Sequence, residues 1–157
     1  MNKVMIGVIG ALWLTACGAR ESDDPDLVTM TEVNDPLAGT EWWIEDIGGT
    51  GVVDRSRSTV AFSDTGRVAG NAGCNQFTGT YRVEGDSLRF GALAGTMMAC
   101  PEALMNQERR FHAAMAEVRS WSLDRETDLL FLRDESGTSV LRASRIEPAP
   151  NEAGNDG

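Results

Sequence analysis

Only one stretch of this 157-residue chain is patterned for a helix. Pro101 suits a first helical turn, Glu102 complements the helix dipole, and the run continues to about Arg119. Leu104, Phe111, Met115 and Val118 fall on one stripe at spacings near 3.6 residues per turn, with Glu108 in the middle of it. Almost everything else between Thr40 and Leu141 is cut into short β-like runs by turn signals. Residues 40–47 carry Trp42 and Trp43, residues 58–62 end at Ser63-Asp64-Thr65-Gly66, and residues 67–70 follow. Residues 80–84 and 87–90 alternate apolar and polar side chains around Gly85-Asp86, a two-residue hairpin signal. Residues 121–123, 129–132 and 139–141 complete the set. Many short strands with one amphipathic helix make an α+β chain, and the runs are too short for transmembrane strands.

The N-terminus has a different logic. Lys3 gives a positive start, residues 4–14 are uncharged and apolar, and Leu14-Thr15-Ala16-Cys17 closes the run. Such a run is shorter than the roughly 20 residues that span a bilayer, but it suits a secretory h-region. Leu-Thr-Ala-Cys resembles the bacterial lipobox, which implies a signal peptide over residues 1–16 and lipidation (palmitate-type acyl chains) at Cys17. Two or more acyl chains anchor stably, since each buried CH₂ contributes about 0.8 kcal/mol. Gly18 in place of Asp implies, by analogy with enteric bacteria, a cell-envelope protein held at the outer membrane and facing the periplasm. Residues 17–36 then read as an acidic flexible tether, residues 37–146 as the folded domain, and residues 147–157 as a disordered tail.

The chain has three cysteines. If Cys17 carries lipid, Cys74 and Cys100 remain as a pair in an oxidising compartment, where a disulfide is the default. A thiol nucleophile, or a metal site using Cys74, Cys100 and His112, is the competing use; the absence of C-x-x-C spacing weighs against it. The net charge is −10 overall, yet residues 37–145 hold 15 Asp and Glu against 12 Arg, a net −3. The acidity sits in the ends, which argues against nucleic acid and against electrostatic adhesion to anionic lipid.

The segments around the two cysteines are the most distinctive. Residues 66–81, which contain Gly73-Cys74-Asn75 and Gly79, resemble the first motif of the META domain, the family that includes the heat-shock protein HslJ. Gly95-Thr96-Met97-Met98-Ala99-Cys100-Pro101, followed by Glu108, is similar to its second motif, and Leu37-Ala38-Gly39-Thr40-Glu41-Trp42 to its opening strand. Met97 departs from the family, whose members commonly carry a basic or other polar residue there. The resemblance implies an antiparallel β-sheet curled, open-barrel-like, around a single α-helix. It also implies roles in envelope stress and antibiotic tolerance, without established catalytic residues.

The glycine-rich residues 66–79 match no phosphate-binding pattern and read as tight turns. Glu108 and His112, one helical turn apart, are a candidate acid/base pair. The favoured reading makes Glu108 a buried structural carboxylate that accepts hydrogen bonds from the backbone around Cys74 and Asn75, with His112 at the edge of the stripe. The methionines Met97, Met98, Met105 and Met115 are expected to fill the core rather than line an adaptable pocket. The expectation is a monomer, not an enzyme, with no metal, no cofactor and no nucleic acid. It meets the membrane through its lipid anchor and binds an envelope protein or, alternatively, an apolar small molecule or lipid.

Overall fold

Alternation of side chains decides the architecture, as β5 illustrates. The computed structural model describes residues 35–147. The strands are β1 (Thr40–Ile47), β2 (Thr50–Gly51), β3 (Thr59–Phe62), β4 (Arg67–Asn71), β5 (Gln76–Glu84), β6 (Ser87–Phe90) and β7 (Ala94–Gly95). Helix α1 (Glu102–Glu117) follows, then β8 (Ser120–Asp124), β9 (Leu129–Arg133) and β10 (Ser139–Arg145). Along β5, Phe77, Tyr81 and Val83 are buried while Gln76, Thr78, Arg82 and Glu84 face solvent. The hairpin to β6 sets Tyr81 opposite Phe90 and Val83 opposite Leu88, so one register buries both strands' apolar sets.

All pairings are antiparallel, and β1 pairs with both β3 and β10. The order β1-β3-β4-β5-β6-β8-β9-β10 therefore returns to β1 and makes a ring of strands. It is not a regular barrel. The β6–β8 junction has one register pair, Ser87 with Ser120, supplemented by hydrogen bonds from Leu88 N to Arg119 O (3.0 Å) and Trp121 N to Asp86 O (2.9 Å). A bulge also interrupts β1 between Ile44 and Asp46. The two-residue strands β2 and β7 hang on β1 and β5 outside the ring.

The core lies between the inner face of the ring and α1. Trp42, Phe62, Phe111, Leu130, Leu132 and Leu141 are essentially inaccessible, and the rings of Phe77 and Phe111 meet at 5.0 Å between centroids. Arg145 lies 4.3 Å over the Trp42 ring while its Nε holds both carboxylate oxygens of Asp128 at 3.1 Å, pinning the ring's closing strand.

Three expectations change. The helix ends at Glu117 and not at Arg119. Its buried face runs through Gln107, Phe111, Ala114 and Met115, so Leu104 is only half-buried and Glu108 stands at the rim. Of the four methionines expected in the core, Met115 alone is there; Met97, Met98 and Met105 are exposed. Asp35 and Pro36, the last residues of the expected tether, are among the described residues. Asp35 accepts from Leu37 N (2.9 Å), and Tyr81 Oη donates to its Oδ2 (2.5 Å).

Tyr81 carries a pH prediction. Burial, then the hydrogen bond to Asp35, push its phenol well above the ordinary value of 10. The stability this supplies is fully present below about pH 10 and is lost as pH rises, because the unfolded chain ionises first. Tyr81 is the single tyrosine, so phenolate absorbance reports it alone. We expect its titration to coincide with alkaline unfolding, and Tyr81→Phe to flatten the loss of stability above about pH 10.

Candidate functional site

The two cysteine motifs meet at one end of α1. Cys74, in the β4–β5 turn, is disulfide-bonded to Cys100, just before the helix, with Cα atoms 6.0 Å apart. Both thiols are thereby consumed, which removes the thiol nucleophile and the Cys74–Cys100–His112 metal site weighed from the sequence. Among the described residues no group of three or more His, Cys, Asp or Glu side chains is placed to hold a metal.

Asn75 organises what surrounds the bond. Its backbone N–H donates to Glu108 Oε2 at 3.1 Å, and its Nδ2 donates to Glu108 Oε1 (3.2 Å), Oε2 (3.0 Å) and Met98 O (3.3 Å). Its Oδ1 accepts from Met98 N (2.7 Å) and Thr96 Oγ1 (2.8 Å). The side-chain amide thus pairs with the Met98 backbone in both directions, as a neighbouring strand would. Buried Asn75 leaves no side-chain polar atom orphaned, and Glu108, 19 % exposed at its side chain, is held by donors rather than presented to a substrate. His112 Nε2 stands 3.9 Å from Glu108 Oε1, beyond a hydrogen bond, with its ring edge-on to Phe77 and Phe111.

Two glycines allow the close approaches. Gly73 adopts φ +116°, and a Cβ there would stand 2.6 Å from Gln107 Nε2. At Gly79 a Cβ would stand 2.5 Å from Leu93 Cδ2 and 2.9 Å from Ala92 O, so its absence lets the segment after β6 lie across β5. That segment and α1 form the walls of a groove of about 640 Å³, with Leu93, Thr96 and Met97 on one side and Glu108, His112 and Ala116 on the other. A second hollow of about 510 Å³, lined by Asn75, Met105, Glu108, Arg109 and His112, shares Glu108 and His112 with it. Exposed methionines stand around these hollows: Met97, on the wall of the first, is 97 % exposed, Met105, on the second, 39 %, and Met98, next to Met97 in sequence, 57 %. Ala99, next to Cys100, is exposed too.

The site therefore joins Gly73, Cys74, Asn75, Met98, Cys100 and Glu108, whereas Gly79 lies farther along β5, under Leu93. Cys17 lies outside the described residues. The sequence reading missed Gln107, fully buried and bonded to Ser58 Oγ at 2.7 Å, and missed the side-chain role of Asn75. Glu108→Ala should cost about 2 kcal/mol, because it strands the Asn75 donors. Glu108→Gln should cost less, and urea unfolding measures both.

The family model of the META domain matches residues 35–147. An NMR structure of a protein from Burkholderia xenovorans aligns with TM-score 0.61 at 23 % identity, covering 72 % of this chain and 86 % of that one. A second NMR structure aligns with TM-score 0.52 at 20 % identity, covering 69 % and 91 %. The crystal structure of a duf4847 family protein from Bacteroides vulgatus ATCC 8482 aligns with TM-score 0.50 at 14 % identity, covering 71 % and 96 %. At these identities the likeness is one of fold. No curated protein matches the sequence.

Proposed function

Since the chain belongs to the META domain family, we propose that it is a non-enzymatic, lipid-anchored binding module of the cell envelope that receives an apolar segment of a protein partner. The observation that carries this reading is the methionine-rimmed groove outside a filled ring. The inner face of the sheet is packed by aromatic and aliphatic side chains, whereas Met97 on the first hollow, Met105 on the second and Met98 beside Met97 stand in solvent. Unbranched, polarizable methionines adapt to varied apolar partners, and solvent-facing clusters of them mark binding surfaces. Binding is the reading supported by Glu108, whose oxygens accept from Asn75, and by the cysteines, which are bonded to each other.

The envelope location rests on the Leu-Thr-Ala-Cys17 resemblance and the residues before it. Cys17→Ser should abolish labelling by a palmitate analogue; labelling that persists refutes the anchor. For the groove, a photoreactive residue replacing Met105 should crosslink one defined envelope protein in cells. Leu93→Glu should remove that crosslink and Arg125→Glu, in the distant β8–β9 turn, should leave it. A crosslink insensitive to Leu93→Glu refutes the groove. A second reading, an apolar small molecule or lipid as ligand, is favoured by the groove's volume, which lies within the ~300–1,000 Å³ range of small-molecule sites. A rise in melting temperature with fatty acids and no protein crosslink would select it.

A further inference from the structure

We infer that Met97, on the wall of the groove, and Met98 beside it form a site of S-oxidation at which a peroxide turns two exposed apolar side chains at the groove's edge, its lip, into polar ones while the core stays intact. Exposure grades the described methionines steeply, from 97 % and 57 % at these two, through 39 % at Met105, to 1 % at Met115. The lip's backbone is also held in place. Met98 is bonded through both its N–H and its C=O to Asn75, Thr96 N donates to Gln76 O at 3.0 Å, and the disulfide fixes Cys100 just beyond. The backbone of this segment is therefore fixed at the edge of the hollow, where both side chains are exposed to small oxidants. No thiol competes among the described residues, because Cys74 and Cys100 are already bonded to each other. Thioethers are then the softest accessible nucleophiles on this surface.

The chemistry closes without a further co-reactant. A sulfur lone pair attacks one oxygen of hydrogen peroxide, the O–O bond breaks and an S–O bond forms. Sulfur loses two electrons, and the other oxygen leaves as water after proton transfer. The product is a polar sulfoxide in place of an apolar thioether. Because neither side chain is packed in the core, the fold does not depend on their remaining apolar. The effect on binding rests on the groove reading proposed above: a polar lip should hold an apolar segment less well.

The test is a hydrogen peroxide titration of the purified full chain, followed by intact mass and peptide mapping. Among the methionines of residues 35–147, peptide mapping should find the first two oxygens, roughly 16 Da each, on Met97 and Met98, with no change in melting temperature. Met105 should react more slowly, and Met115 only in denaturant. In the Met97→Leu, Met98→Leu chain the peptide spanning residues 97 and 98 should gain no oxygen. Oxidation of Met115 at the same rate, or a melting temperature that falls with the first oxygen, overturns the proposal. The crosslink from position 105 separates the two readings. Its loss on the oxidised chain supports the switch in polarity. Its persistence refutes the lip's part in the groove, while the oxidation map stands or falls by itself.

Discussion

Gln107→Ala will lower the free energy of unfolding by about 3–5 kcal/mol, the largest single loss expected from a polar residue in this domain. Gln107 is completely buried on α1, and its Oε1 accepts from Val53 N at 2.5 Å. Its Nε2 donates to Ser58 Oγ at 2.7 Å and Ser56 Oγ at 3.1 Å. These partners lie in the connection between β2 and β3, which has no strand of its own to order it. Alanine leaves a cavity, an unpaired Val53 N–H and an unpaired hydroxyl on Ser58, which is 1 % exposed. Each orphaned group costs about 1–3 kcal/mol, added to the lost packing. In a domain of this size the melting temperature should fall by roughly 10–20 °C. Gln107→Glu keeps the acceptor but loses the donor and buries a charge, so it should be no milder. A loss under about 1 kcal/mol for alanine would show that the 52–58 connection is held by other contacts.

Removing the disulfide is the second large effect. Cys74→Ala with Cys100→Ala should cost about 2–4 kcal/mol, since the bond closes a loop with a sequence separation of 26. The lip has a second anchor in Asn75, so the double replacement should still fold with Met98 paired to it. Adding Asn75→Ala removes both anchors from one segment, and the combined loss should exceed the sum of the separate losses. Limited proteolysis reads this directly: cleavage near residues 96–99 should be slow in either variant and fast in the combination. Equal cleavage in all three would mean that β7 pairing with β5 suffices to hold the segment.

Part of the ring was legible where alternation or aromatic residues mark a strand. β1 and β6 stand at the residues expected of them, and the Gly85-Asp86 turn joins β5 to β6 as the hairpin signal requires, but the glycine-rich stretch read as tight turns is mostly strand, in β4 and the first half of β5. The two-residue strands β2 and β7 were not legible, since two residues have no period and their pairing comes from tertiary contact alone. The helix face was ambiguous for a definite reason. A stripe through 104, 108, 111, 115 and 118 and one through 107, 111, 114, 115 and 118 share three positions. The choice between them falls to Ser56, Ser58 and Val53, some fifty residues away, which satisfy Gln107 in the core. Glu108 was legible as a carboxylate in need of donors because it interrupts an apolar stripe. The methionines misled for the opposite reason: hydrophobicity alone does not distinguish a core thioether from one that Asn75 holds out in solvent.

The pairing of β10 with β1 has a kinetic consequence. Contacts such as Trp42 with Arg145 join residues about a hundred positions apart, so closure must wait until nearly the whole domain has left the ribosome. Until then β1 has an unsatisfied edge, and a nascent chain ending before β10 exposes the row of donors and acceptors that invites intermolecular strand addition. Truncation at the C-terminal side of β9 should therefore aggregate rather than merely loosen, and the last seven-residue strand sets the earliest moment at which the domain can be native.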